Sequence, residues 1–598
     1  NVFWSPVNSV NITNNIWDIT ERDANGNLKA VEPTRVNPLS VIETFDFNQN
    51  VNRTISNVKL SIYPIEGLQL DIITGLDAFT QVGTQYIPQY PYSGVAPTFL
   101  ASGYASVASN TSFQYNTDIN LSYNKNFGNL SSNTVVGYNY QNSRVDYQAS
   151  RGENIAPGFE SIAGSPTPLT GYGLSRYWID GYFGQQTFGF KNQIFLTGAA
   201  RVDNSSIFSA SQRNQLYTKA SLSWLVSELG FWKNGNLNKF WNTAKLRASF
   251  GEAGGVTAIG PYDRFNLISS VTYIGKNTLV PNTQLAFENI APERTREIEF
   301  GADLGFLKNR LGLGFTYYNQ KVFDLLVSKQ LAPSEGGTSR LENVGEMENK
   351  GIELSLNYDV IKSSNFEWNL YGVYGQNKNV VTKLGSPTVA LSTVTGAPAF
   401  LIEGEAASVF YGTYFATDAD GNTIKNQWGL EQTEKGTAVN YKAGDEIPEG
   451  SYVLGGVLYT PKRDANGMPT GVALRKVIGD PNPDFTLSLG SDFRWKKLSF
   501  GFLLDGVYGA DVFNADKRTR QGVGIGDYSE KELKGELPRG YIHSIYPIEE
   551  WRVEDGTFTK IREVSLGYKL PDNLIKGMED ITLTITGRNL YSFDTYDG

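Results

Sequence analysis

Apolar and polar residues alternate at every second position over sixteen separate stretches of this chain, and few folds can use that pattern so often. The stretches start near Arg53, Gly67, Phe113, Leu130, Gly181, Gln193, Leu216, Ala244, Thr295, Arg310, Asn343, Phe366, Asp484, Leu498, Phe558 and Asp580. A strand points successive side chains to opposite faces, so each stretch predicts a strand with one apolar and one polar side. By pattern each runs for about ten to fourteen residues, longer than the usual five or six and close to the nine to eleven that cross a bilayer at a tilt. Helical periodicity is scarce, and no linker divides 1–598, which is expected to form one domain.

The predicted connections alternate in length too. Short turns are expected at 64–66, 126–129, 191–192, 307–309, 361–365, 496–497 and 571–579, and long loops at 80–112, 142–180, 254–294, 380–483 and 510–557. The turn around 227–243 is the least tidy. Short turns on one rim and long loops on the other are the layout of an outer-membrane β-barrel, and a soluble sandwich or propeller has no reason for that asymmetry. The fold class is therefore all-β: a transmembrane antiparallel barrel with periplasmic turns and extracellular loops.

In lipid a charge near the bilayer centre is costly, so the carboxylates of RTREIEFGADLGFL must face inward. This assigns Glu297, Glu299 and Asp303 to the lumen and Ile298, Phe300 and Leu304 to lipid. KLRASFGE gives Lys245, Arg247 and Ser249 as lumen-facing, and GIELSLNY gives Glu353 and Asn357, with Leu354 and Leu356 toward lipid. In DITLTIT, Thr582, Thr584 and Thr586 face the lumen and Ile581, Leu583 and Ile585 face lipid. Tyr317, Tyr318, Trp368, Trp495 and Tyr568 are candidates for interfacial aromatic girdles.

Other chemistries find little support. Net charge is −9 with no long run of like charge, which argues against nucleic-acid partners. With no cysteine and one histidine, His543, there is no thiolate site, no two-histidine metal site and no catalytic triad; His543 is read as a loop residue. TDADGN resembles the start of a calcium loop, but counting twelve positions from Asp418 reaches Gly429 instead of a carboxylate, so it is read as a turn, as are the two RDANG segments. LGLGF falls mid-strand and is no nucleotide loop. No enzymatic constellation, metal site or cofactor is expected, and no residue is singled out as a ligand contact.

Several segments together resemble the SusC/RagA family of TonB-dependent outer-membrane transporters: ARVDNSSIF, KLRASFGEAGG, NRLGLGFTYYNQKVFDLL, NVGEMENKGIELSL, IGDPNPDFTLSLG, VEDGTFTKIREVSLGYKLP and GRNLYSFDTYDG. The resemblance implies a 22-stranded barrel of which about sixteen strands are present, with a plug, the first strands and the last strand outside this chain. It further implies import of a nutrient such as an oligosaccharide or peptide, a SusD-like surface lipoprotein as lid, and TonB acting through the missing N-terminal region. Loops 142–180, 380–483 and 510–557 are the ones expected to touch lid or ligand. The rival expectation is a barrel serving as a docking or assembly component of the envelope.

Overall fold

The computed structural model describes residues 17–29, 31, 37–89, 102–256, 258–274, 276–391, 398–571, 578 and 580–596. Sixteen long strands dominate it: β1 (Asp46–Ile65), β2 (Leu68–Ile87), β3 (Tyr104–Phe127), β4 (Leu130–Glu153), β5 (Leu169–Phe190), β6 (Ile194–Ser205), β7 (Gln215–Leu225), β8 (Trp241–Gly255), β9 (Glu293–Phe306), β10 (Leu311–Gln330), β11 (Ser339–Lys362), β12 (Phe366–Lys383), β13 (Phe485–Trp495), β14 (Leu498–Tyr508), β15 (Phe558–Lys569) and β16 (Thr582–Asp594). Each pairs antiparallel with its neighbours in the chain, so the sheet is an unbroken meander; among the described residues β1 bonds only to β2, and β16 only to β15.

All sixteen stretches read from the alternation fall on these strands, but the strands are longer than the alternation. β3, β4 and β11 each span 24 residues. The expected loops 80–112 and 142–180 shrink accordingly, because the ladder continues through Thr80↔Thr111 and from Asn142↔Trp178 to Arg151↔Leu169. Beyond the apolar belt a strand no longer needs a greasy face. Backbone pairing and polar contacts, such as the Tyr172 hydroxyl donating across strands to Asp146 while Arg144 pairs with Asp146 along β4, suffice to extend it. At the opposite rim the turns are tight, as at 66–67, 128–129 and 496–497. The turn expected at 571–579 falls largely outside the described residues.

Two buried apolar clusters sit among the long connections: Ile207, Phe208, Ile259 and Ile290 between 206–214 and 256–292, and Ile402, Val409, Tyr411, Tyr414, Tyr459 and Leu474 within 384–484. A third, Val327, Val381, Leu384 and Leu401, ties the long-loop ends of β10 and β12 to segment 384–484. This last segment is a folded lobe with two small sheets, not a plain loop. A second lobe, 509–557, carries the helices Ala515–Gly522, Asp527–Lys534 and Tyr541–Ile545. His543, expected in a loop, lies in the last of these short helices, where local backbone bonds such as Tyr546 N–H to Ile542 O close a single turn.

The recurrent Asp-Ala-Asn-Gly and Asp-Ala-Asp-Gly segments share one turn geometry. Asp23, Asp418 and Asp464 each accept backbone N–H groups from two and four residues on, while Gly26, Gly421 and Gly467 supply a positive φ of 77–84°. The carboxylates are thereby engaged in closing turns.

Candidate functional site

Register carries the alternation across the sheet. One rung runs Trp224, Leu246, Ala302, Phe315, Leu354, Tyr374 and Leu487 over seven strands, and the next runs Ser223, Arg247, Gly301, Thr316, Glu353, Gly375 and Thr486 on the opposite face. The first face is apolar and open: Ile298 is 45% exposed, Phe300 53% and Leu354 44%. An uncovered band of this size is foreign to a protein that meets water on every side. At its short-turn end lie aromatic pairs, Trp241 stacked on Phe306 at 5.4 Å and Trp368 on Phe493 at 5.5 Å.

The second face holds a network of opposite charges. Lys245 Nζ lies 3.1 Å from Asp303, and Arg247 bridges Glu299, Asp303 and the Thr316 hydroxyl, donating to the last at 2.8 Å. Gly301 makes room for that guanidinium, since a Cβ there would stand 2.5 Å from Arg247 Cζ. Arg53–Asp77 and Lys59–Asp71 continue the pattern on β1 and β2, and Arg562–Asp505 on β14 and β15. Glu297 accepts from Gln320 at 2.9 Å, and Asn357 from Asn369 at 2.8 Å. A cleft of about 300 Å³ on this face is lined by Glu297, Glu299, Thr316, Tyr318, Gln320, Asn349, Glu353 and Asn377.

Register groups the residues named from the sequence by face of the sheet. Lys245, Arg247, Glu299, Asp303 and Glu353 share one, with Ser249 opposite Glu299; Ile298, Phe300, Leu304, Leu354 and Leu356 share the other. On β16, Thr584 and Thr586 lie opposite Gly567 and Ser565, Thr582 opposite Lys569, and Leu583 and Ile585 opposite Tyr568 and Leu566. Ile581 precedes the strand, its carbonyl accepting from Leu570 N–H in the connection. Tyr318 does not belong with the aromatic candidates of the apolar face: its parity and its hydrogen bond to Asn377 at 3.1 Å put it in the polar cleft.

A larger groove, about 800 Å³, was not foreseen. It lies on the polar side at the long-loop ends of β1 to β5, where Gln49, Gln81, Gln85, Ser106, Tyr147 and Arg151 converge without a carboxylate among the lining residues. Its elements lie far apart in sequence and meet only because these five strands outgrow the belt. The one available signal was the run of Gln, Tyr and Ser in segments read as loop.

The family model described as "TonB dependent receptor-like, beta-barrel" matches residues 5–590. TonB-dependent receptor P3 of Formosa agariphila is 28% identical over 534 residues, which is 84% of this chain and 50% of that protein. TonB-dependent receptor SusC of Bacteroides thetaiotaomicron is 25% identical over 449 residues, 70% of this chain and 43% of that one. The chain therefore spans about half the length of the curated relatives it matches. Among solved structures, the RagAB peptide transporter superposes with a TM-score of 0.75 at 18% identity, covering 96% of this chain and 62% of that one, a likeness of fold.

Proposed function

The chain belongs to the TonB-dependent receptor-like β-barrel family of the outer membrane, and from that premise we propose that it is the barrel wall of a nutrient importer. Cargo, an oligosaccharide or a peptide, would pass along the polar face, with Lys245, Arg247, Ser249, Glu297, Glu299, Asp303, Glu353, Asn357, Thr582, Thr584 and Thr586 toward the lumen. Ile298, Phe300, Leu304, Leu354, Leu356, Ile581, Leu583 and Ile585 would face lipid. Residues 1–598 would be part of a longer barrel domain, with TonB acting through a plug outside this chain and a SusD-like lipoprotein covering the mouth.

The carrying observation is the back-to-back pairing of an exposed apolar face with a charged, hydrogen-bonded one across the meander. A wall of that kind suits a wet passage in lipid. The polar groove supports the same reading: amides, a phenol and one guanidinium offer many weak contacts, which a cargo must be able to leave as well as enter. Peptide is the cargo named for the RagAB transporter, whose fold this chain resembles.

The test is uptake by cells. The full-length gene should support accumulation of fluorescently labelled oligosaccharide or peptide that stops when TonB is deleted. Gln81→Leu with Tyr147→Ala should lower uptake at equal surface abundance. Uptake that persists unchanged without TonB would refute the proposal.

A further inference from the structure

The two large lobes at the long-loop end, 384–484 and 509–557, meet in a contact centred on Glu549. Glu549 Oε2 accepts the backbone N–H of Thr413 at 3.0 Å and lies 3.2 Å from Arg475 Nη1. Its own N–H donates to the Thr413 hydroxyl at 2.9 Å, and that hydroxyl donates to Pro547 O at 2.7 Å. Glu550 repeats the contact beside it, accepting from Phe415 N–H at 2.9 Å and pairing with Lys476 at 2.8 Å. Asp511 and Asp480 exchange two further hydrogen bonds across the same seam. Backbones approach closely here: a Cβ on Gly412 would stand 2.9 Å from Glu549 Cβ, and one on Gly479 2.7 Å from Val553 Cγ1.

Arg552, beside this seam, is left dissatisfied by the arrangement, as are Arg518 Nε and Trp551 Nε1 in the same lobe. Arg552 is 2% exposed, stacked on Phe513 at 4.7 Å, and its Nε and Nη1 make no hydrogen bond. Burial pushes its guanidinium down to about 10, with Glu549 opposing the shift and neighbouring Arg518 adding to it. The nearest carboxylate is that of Glu549, one turn back, at 4.0 Å from Arg552 Nη2. That separation is outside hydrogen-bond reach while Glu549 is held by the other lobe. A buried cation without a full partner is costly, and a rotation of the Glu549 side chain away from Arg475 would relieve it.

We propose that Glu549 is a two-position latch. In the docked arrangement described here it bridges to Thr413 and Arg475 and clamps the lobes together. When lobe 384–484 lifts away, Glu549 closes on Arg552, so the freed lobe 509–557 keeps its charge paired and the cost of opening is reduced. Arg552 is then a positioning residue that favours release, although its ion-pair partner among the described residues, Glu549, lies in its own lobe.

Hydrogen exchange on the full-length protein in detergent tests this, because the N–H groups of Phe415, Asp511 and Glu549 donate across the seam and exchange when it opens. Arg552→Met keeps the stacking on Phe513 and removes the competitor, so exchange at these three amides should slow, on the order of tenfold for one charge-assisted hydrogen bond. Arg475→Met removes the docked partner and should speed it by a similar factor. The Ser529 amide, bonded within lobe 509–557, reports whether that lobe stays folded. If R552M loses protection there, Arg552→Lys, which shortens the reach and keeps the charge, takes its place with the same expected direction. Unchanged or faster seam exchange in the folded Arg552 variant would overturn the latch, as would an R475M seam that opens no faster than wild type.

Discussion

Leu356 and Asn357 are neighbours on β11 with opposite faces, and replacing each with arginine separates the proposed lipid face from the proposed lumen. Leu356 pairs across with Leu313 and Gly372 in the apolar rungs, whereas Asn357 accepts a hydrogen bond from Asn369. Counting from Ile361 beside the short turn, a rise of about 3.4 Å per residue and a tilt of about 45° lift Leu356 roughly 12 Å, half of a band about 25 Å tall. Leu356→Arg therefore places a charge near the bilayer centre and should cost about 2 to 4 kcal/mol. Asn357→Arg gives up one hydrogen bond in a wet, charged setting and should cost about 1 kcal/mol. At about 1.4 kcal/mol per factor of ten, the leucine variant's unfolding equilibrium shifts by roughly 30- to 1,000-fold. Denaturant titration of the full-length protein folded into lipid vesicles, followed by tryptophan fluorescence, measures both. Should N357R prove as destabilising as L356R, the assignment of faces is wrong.

Two further substitutions and one titration probe the lobes. Glu434 is buried in lobe 384–484 and gripped by both Nη atoms of Arg463, so Arg463→Met, which strands the carboxylate, should destabilise the lobe by about 3 to 5 kcal/mol and show as faster proteolysis within 384–484. Tyr411→Phe deletes the hydroxyl bonded to Tyr459 in the cluster of buried rings and should cost about 1 kcal/mol in the same assay. Burial, with Glu431 and Tyr528 nearby, pushes the Tyr541 phenol up to about 12. Its proton is held more tightly folded than unfolded, so its contribution is intact below pH 10 and is lost as pH rises from 10 to 12. Tyr541→Phe should flatten that part of a stability-against-pH curve.

The sheet was legible because lipid enforces its rule at every second residue. Ile298, Phe300, Ala302, Leu304 and Phe306 keep period 2, and register puts the intervening glutamates and aspartate on the other face of the sheet. Face membership followed from spacing alone, so Lys245 and Arg247 could be put with Glu299 and Asp303 before any register was known. Which cation meets which anion could not, since a slip of two residues between β8 and β9 keeps the faces and changes every partner. Strand ends failed for the converse reason: above the belt nothing disciplines the side chains, and stretches such as 142–153 read as loop while the backbone keeps pairing.

The lobes were invisible for a deeper reason. Their cores join residues of no common period, Ile402, Tyr411, Tyr459 and Leu474, brought together by turns whose aspartates mimic ligand loops. Glu549 and Arg475 are separated by a strand-turn-strand passage through the whole sheet, and nothing in IEEWR or ALRKV marks them as partners. A membrane wall repeats one local constraint and can be read locally. The parts that would meet cargo or partner stand in water, satisfy long-range constraints instead, and so carry their logic in pairings like Glu549's choice between Arg475 and Arg552.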